Sequence, residues 1–384
     1  MKLTAGTEAQ AGIREGTAAK IERRVKDWLD TGYTPMAQYF AAHSGVVFLD
    51  GAQGLQSPGK DDALLTVDSI FPVASITKVF TATLVMILCE DGLLAPTDFV
   101  YRHIPEFNGE GKDRVTIAHL MTHSAGIEDG DIWEVPEEEI EKTVISRENL
   151  EKYPHLDKRF YARCALPNKR APGVQMSYSS FSQSIVGEII SRVTGQPFER
   201  VMRERLFEPL RMTSTFLGVP ESVWDRVVGY PDNAFFSWFN DPESRKSLSP
   251  SGGAYSNARD LCVYGQMLLN KGEYGGVRVL SRLSVEAMTR NQIPGVPSFH
   301  EGRVFPEAGW GFSFMLSLDK FDETGTLRSR ETFGHSGAGC SMFIGDPVNG
   351  VVAALLDCTL KREGDDFHER RFDRFYNMVF SGVI

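Results

Sequence analysis

The stretch FPVASITKVFTATLVMILCEDG, residues 71–92, limits what this chain can fold into more than any other. Val79, Phe80, Thr83, Leu84, Ile87 and Leu88 recur at helical spacing, and Asp91-Gly92 supplies a stop because glycine tolerates a left-handed cap. The spacing predicts a helix over Ser75–Glu90. Lys78 falls where the apolar run begins, and burying an ammonium there is costly unless it sheds its charge or finds a partner. Ser75 stands three residues ahead of it. On a helix the two side chains share a face, one turn apart.

Around this helix the pattern changes along the chain. Ile21, Val25, Trp28 and Leu29 mark one face of an N-terminal helix, and AQYFAA and VVFLDG read as an antiparallel hairpin turning at His43-Ser44-Gly45. A mainly helical middle follows, clearest in TIAHLMTH, FSQSIVGEIISRVTG, PFERVMRERLF and NARDLCVYGQMLLNKG. Beyond about residue 280, GWGFSFML, TFGHSG, CSMFIGD and GVVAALLDC read as successive strands, with a turn at Asp346–Gly350. A closing helix carries Phe367, Phe372, Phe375, Tyr376 and Val379 on one side. The expected fold is α/β, or α+β: an antiparallel sheet built from both chain ends and flanked by helices. Residues 1–80 and 280–384 would form that discontinuous domain, residues 81–279 a mainly helical subdomain inserted in it, and the active site would lie between them.

A formal charge of −10 and the absence of any basic run argue against a nucleic-acid or anionic-membrane partner. No apolar stretch long enough for an export signal or a membrane span is read. Cys89, Cys164, Cys262, Cys340 and Cys358 are scattered and lack C-x-x-C spacing, as expected of reduced thiols in a cytoplasmic protein.

A serine hydroxyl becomes nucleophilic when something takes its proton, and a lysine can do so if desolvation brings its pKa from about 10.4 toward neutrality. Phe71, Pro72, Val73, Ala74, Ile76, Val79 and Phe80 supply an apolar setting for that. By itself so short a pattern reads first as an N-cap serine followed by a surface lysine. A second element, APGVQMSYSSFSQSIVGEII, places Tyr178 before an apolar helix, either as a core aromatic or as a second acid/base sharing a proton with Lys78. A third, FGHSGAGCSMF, ends a strand at His335-Ser336-Gly337. There the Ala338 N–H would pair with that of Ser75 as an oxyanion hole, or the segment is simply a glycine-rich strand end.

In this order and spacing the three elements resemble the serine β-lactamase and penicillin-binding-protein family, and within it the branch of class C β-lactamases and family VIII carboxylesterases. HLMTHSAGI, LFEPLRMTSTFLG, SGGAYSNARDLCVYGQMLLNKGEYGGVRVLS and GWGF extend the likeness over nearly the whole chain. The resemblance implies Ser75 as acylated nucleophile, Lys78 as its base partner and Tyr178 as the relay to leaving group and water. His335, Ser336 and Gly337 would line the opposite strand.

Two positions depart from that family. Ser180 stands where Asn is usual, and His335 stands where β-lactamases use Lys. A histidine, mostly neutral at pH 7, weakens recognition of an anionic β-lactam. YPDNAFFSWFN offers Phe236 and Trp238 either as subdomain core or as an apolar pocket suited to an uncharged ester. His119 and His123 have metal-like spacing, but Leu120 stands where a metalloprotease needs Glu, and a structural role is expected. The acidic run EDGDIWEVPEEEIEKTVISRENLEKY reads as a solvated face or, less directly, a lid. The expectation is a serine hydrolase cleaving small carboxylic esters through a covalent acyl-enzyme on Ser75, with a small-molecule ester or amide as its partner and no metal or cofactor. β-Lactamase or D-amino-acid peptidase activity, acyl transfer and a catalytically silent scaffold are the alternatives.

Overall fold

All seven residues of the strand Val351–Asp357 are buried in the computed structural model. The model describes residues 1–59, 62–300, 303–320, 322–358, 360 and 367–384. Side chains along this strand alternate between two cores, as strand geometry requires. Val351, Ala353 and Leu355 join Ala37, Tyr39, Met342 and Ile344 on one face, beneath Ile21, Val25 and Trp28 of the helix Thr17–Asp30 and Phe372, Phe375, Tyr376 and Val379 of the helix Phe367–Phe380. Phe367, also expected on that face, lies outside the residues whose side chains are described. Val352, Ala354 and Leu356 join Phe40, Phe343 and the larger core on the other face. There the helix Ala258–Leu269 lies so close that a methyl on Gly265 would come within 2.6 Å of Val352.

The sheet has seven strands in the order Thr4–Ala5, Val46–Gly54, Met36–His43, Val351–Asp357, Ser341–Asp346, Phe333–Gly337 and Met315–Leu316. All neighbours are antiparallel except the first pair. Both ends of the chain therefore build one sheet. The helix Thr77–Glu90 is buried from Thr77 through Leu88, which is what an element apolar on every side requires. A single turn of 3-10 helix, Ala74–Ile76, precedes it, so the expected helix from Ser75 begins with a tighter winding.

One expected strand is largely absent. In GWGFSFML only Met315–Leu316 is strand, and Trp310 bridges back to Met315. Ser313, with φ of 59°, turns the chain between them, and its N–H donates to Met121 O at 2.8 Å. The helix from PFERVMRERLF also changes winding, passing from Phe198–Met202 into a π-helical turn at Arg203–Phe207.

A small sheet sets up the site. Phe71–Pro72 pairs with Ala254–Ser256, which pairs with Phe216–Leu217. The turn carrying Ser75 and the loop before Ala254 are thereby laid side by side. Against them sits the end of Phe333–Gly337: a Cβ on Gly337 would lie 2.2 Å from Val73 O, and one on Gly339 2.1 Å from Pro72 O. Only glycine allows so close an approach of two backbones.

Gly337→Ala and Gly339→Ala should each cost about 1–3 kcal/mol, the usual penalty of overpacking against atoms that cannot move aside. Gly130→Ala, where an added methyl meets nothing within 4 Å, should stay within about 1 kcal/mol of the parent. Urea unfolding of the three variants measures the contrast.

Candidate active site

Lys78 is 1 % exposed, and its amine meets two oxygens: Ser75 Oγ at 3.0 Å and the Ser251 carbonyl at 2.7 Å. Ser251 is delivered by the loop that the small sheet lays beside the Ser75 turn, and Pro250 O beside it accepts from Thr81 Oγ1 at 2.8 Å. Burial pulls the Lys78 pKa from 10.5 down to about 7, with the Asp129 charge acting the other way. At neutral pH a large share of Lys78 is then an uncharged amine with a lone pair beside the serine hydroxyl.

The backbone on the Ser75 side is strained. Ala74 has φ of 42°, a left-handed conformation in which its Cβ crowds the backbone. Thr77 Oγ1 pins this turn by donating to Ala74 O at 2.6 Å and accepting from Ala254 N at 2.9 Å.

Tyr178 reaches the pair from the helical middle. It immediately precedes Ser179, the N-cap of the helix Ser180–Thr194, whose Oγ accepts from Ser182 N at 3.1 Å. The Tyr178 ring centroid is 4.8 Å from Lys78 Nζ. Desolvation raises the phenol pKa well above 10.0, while its hydrogen bond with Ser75 works in the opposite direction. The structure thus brings together Ser75, Lys78 and Tyr178.

His335 stands in the facing strand, 2 % exposed, its ring 6.2 Å from that of Tyr178 and 5.7 Å from that of Trp310. Its Nδ1–H donates to Ser336 O at 2.5 Å. Burial, reinforced by Lys78, pushes its pKa down to about 3, so the ring is neutral. Ser336 donates weakly to Met315 Sδ at 3.8 Å. Ala338 follows Gly337, and its N–H makes no hydrogen bond among the described residues. Ser180 opens its helix with its N–H committed to Asp129 Oδ2 at 2.6 Å.

Phe236 and Trp238 belong to an aromatic group of their own, edge to face at 4.9 Å, with Trp238 half exposed. Tyr230 links the same segment to the site wall by donating to Gly339 O at 2.5 Å.

Two residues that sequence reasoning did not single out for the site are part of it. His123, in a left-handed turn with φ of 56°, stacks 4.4 Å from Tyr178 and accepts from Ser179 N at 3.1 Å through Nδ1. His119 turns away, bonded through Nδ1 to Thr116 N at 3.1 Å. Asp129, from the acidic run, reaches the start of the Ser180 helix and accepts from Ser179 Oγ at 2.8 Å, Ser180 N at 2.6 Å and Phe181 N at 3.3 Å. A seryl hydroxyl, an amine depressed toward neutrality and a protonated phenol in contact are the parts needed for nucleophilic acyl transfer.

Comparison with known proteins gives the family and the fold. The model of the Beta-lactamase family matches residues 19–377, and the chain belongs to that family, within a superfamily of serine hydrolases that spans esterases, β-lactamases and peptidases. It is 23% identical over 391 aligned residues, covering 92% of this chain and 85% of the relative, to a protein of Escherichia coli (strain K12) named "Putative D-alanyl-D-alanine carboxypeptidase". A penicillin-binding-protein homologue from Caulobacter crescentus superposes with a TM-score of 0.75 at 23% identity, covering 96% of this chain and 98% of that one. A family VIII carboxylesterase gives 0.74 at 23% identity, covering 95% and 98%. No helix among the described residues is long and apolar enough to cross a membrane.

Lys78 weakens the fold it sits in. Its pKa falls on folding, so the unfolded chain binds the extra proton between about pH 7 and 10.5. Stability therefore rises with pH across that window, and below it the penalty is full, of order 5 kcal/mol before hydrogen bonds offset part of it. Lys78→Met should stabilise the protein by about 1–3 kcal/mol at pH 7, and less as pH approaches 10. Urea unfolding at both pH values checks this.

Proposed function

We propose that this protein is a serine hydrolase that cleaves small, uncharged carboxylic esters through an acyl-enzyme on Ser75. The observation that carries the reading is the buried Lys78 amine, 3.0 Å from Ser75 Oγ, with a pKa near 7. In this scheme the neutral amine takes the hydroxyl proton as Ser75 Oγ bonds to the ester carbonyl carbon. The N–H groups of Ser75 and Ala338 hold the oxyanion. Tyr178, kept as a phenol by burial, gives its proton to the departing alkoxide and recovers one from Lys78. Water then attacks the acyl carbon and gives a proton to the Lys78–Tyr178 pair, which returns one to Ser75 Oγ as the acyl–oxygen bond breaks and the carboxylic acid leaves.

The neutral His335 favours an uncharged substrate. A β-lactam or a D-amino-acid peptide brings a carboxylate, and a buried imidazole with its pKa near 3 supplies no counter-charge for it. The structural likeness to a family VIII carboxylesterase supports the same choice. The likeness to the relative named for D-alanyl-D-alanine carboxypeptidase favours the second reading, peptidase or lactamase activity. Ser180, Ser336 and Gly337 would line the substrate path, with Phe236 and Trp238 as an apolar extension. The cleft would lie between the two proposed subdomains, 1–80 with 280–384 and 81–279. Five free cysteines suit a reducing, cytoplasmic setting, and the expected partner is a small molecule rather than nucleic acid or membrane.

Intact-mass measurement after a fluorophosphonate should show one adduct, absent in Ser75→Ala; no adduct on folded protein would point to a silent scaffold. The kcat/KM for p-nitrophenyl butyrate should exceed that for nitrocefin, and the opposite order would favour the lactamase reading. Lys78→Ala and Tyr178→Phe should each lower kcat/KM by about 10²–10⁴-fold while remaining folded by circular dichroism.

A further inference from the structure

We propose that Asp129 is a positioning residue for this reaction: it clamps the turn that presents Tyr178 and carries a negative charge that acts on Lys78. The inference rests on the serine hydrolase reading above. Its first support is geometric. One carboxylate gathers three donors, Ser179 Oγ, Ser180 N and Phe181 N, all within the first turn of the helix that Tyr178 precedes. Ser179 is already the N-cap of that helix, so Asp129 is a second cap arriving from a separate short helix, Asp129–Trp133. Tyr178 is held from the other side, where Ser179 N donates to His123 Nδ1 and Ser177 N donates to His123 O at 2.8 Å. The segment 177–181 is thus fixed at both edges, and Asp129 is the only edge that carries charge.

The second support is electrostatic. Besides its two hydrogen-bond partners, Ser75 and the Ser251 carbonyl, the titratable groups nearest in influence to Lys78 are Tyr178, His123 and His335. Both imidazoles are kept neutral by burial, and Tyr178 stays a phenol. Asp129 is the charged group that acts on Lys78, and it opposes the effect of burial there. It also raises the Tyr178 pKa and faces Arg163. Its charge therefore has two consequences for the proposed reaction. Lys78 remains a stronger base than burial alone would leave it, and Tyr178 is held in the form that can donate.

Asp129→Asn separates charge from shape. An amide oxygen can still accept from Ser179 Oγ and Phe181 N, while the Ser180 N–H loses its acceptor. The test is the pH dependence of kcat/KM for p-nitrophenyl butyrate. Wild-type activity should rise through a limb near pH 7 as Lys78 loses its proton. In Asp129→Asn that limb should move to lower pH by about one unit, the usual effect of removing a nearby opposite charge, with a lower plateau because the base is weaker. Asp129→Glu, which keeps the charge, should leave the limb near its wild-type position. Glu128→Gln, its neighbour paired with Arg170, should leave it unchanged. A plain helix cap would lower stability and plateau without moving the limb, and an unmoved limb in Asp129→Asn overturns the proposal. Wild-type protein that forms no adduct at Ser75, or shows no limb near pH 7, would instead defeat the hydrolase reading itself.

Discussion

Desolvation of one amine organises this site. Lys78 lies in a helix buried along most of its length, so its charged form has lost water and, among the described residues, gained no carboxylate within hydrogen-bond reach. The amine is instead met by a hydroxyl and a backbone carbonyl, partners that suit an uncharged amine as well as a cation. The neutral state of His335 and His123 and the protonated state of Tyr178 follow from the same burial. A solvated Lys78 would stay charged and offer no lone pair.

The scaffold keeps water out by bringing distant segments into contact along backbone seams. The small sheet sets Ser251 O over Lys78, and the glycine-rich end of Phe333–Gly337 is pressed onto Pro72 and Val73. The seam at Gly337 and Gly339 presses on Val73 and Pro72, and the left-handed Ala74 follows directly, so close approach and strain meet in the three residues before Ser75. Strain and close approach are both tolerated because Thr77, Ser341 and Tyr230 tie the surrounding carbonyls, at Ala74, Val73 and Gly339.

What could be read from the sequence was what leaves a periodic or local trace. The apolar spacing from Val79 to Leu88 announced the buried helix, and the three-residue step from Ser75 to Lys78 announced a shared face. The strands near both chain ends showed as apolar runs bounded by turns. GWGFSFML misled because its apolar residues resemble a strand, whereas the left-handed Ser313 bends it back on itself. Asp129 was hidden because one carboxylate among many looks solvated until the fold shows which one turns inward. The spacing of His123 from His119 suggested only a metal site, which Leu120 argues against, and its actual partner, the Ser179 N–H, is more than fifty residues away in sequence. The Ser251 carbonyl has no signature at all, since every residue carries one.

The pairing of Met36–His43 with Val351–Asp357 has a further meaning for how the molecule is made. During synthesis the hairpin at the start of the chain waits, with one edge unpaired, until the last strands leave the ribosome. Ser75 and Lys78 emerge early, but the wall that dries their surroundings arrives with residues 333–357. A chain lacking those strands would leave Lys78 in water and charged, so on the hydrolase reading Ser75 would gain its base only when translation is nearly finished.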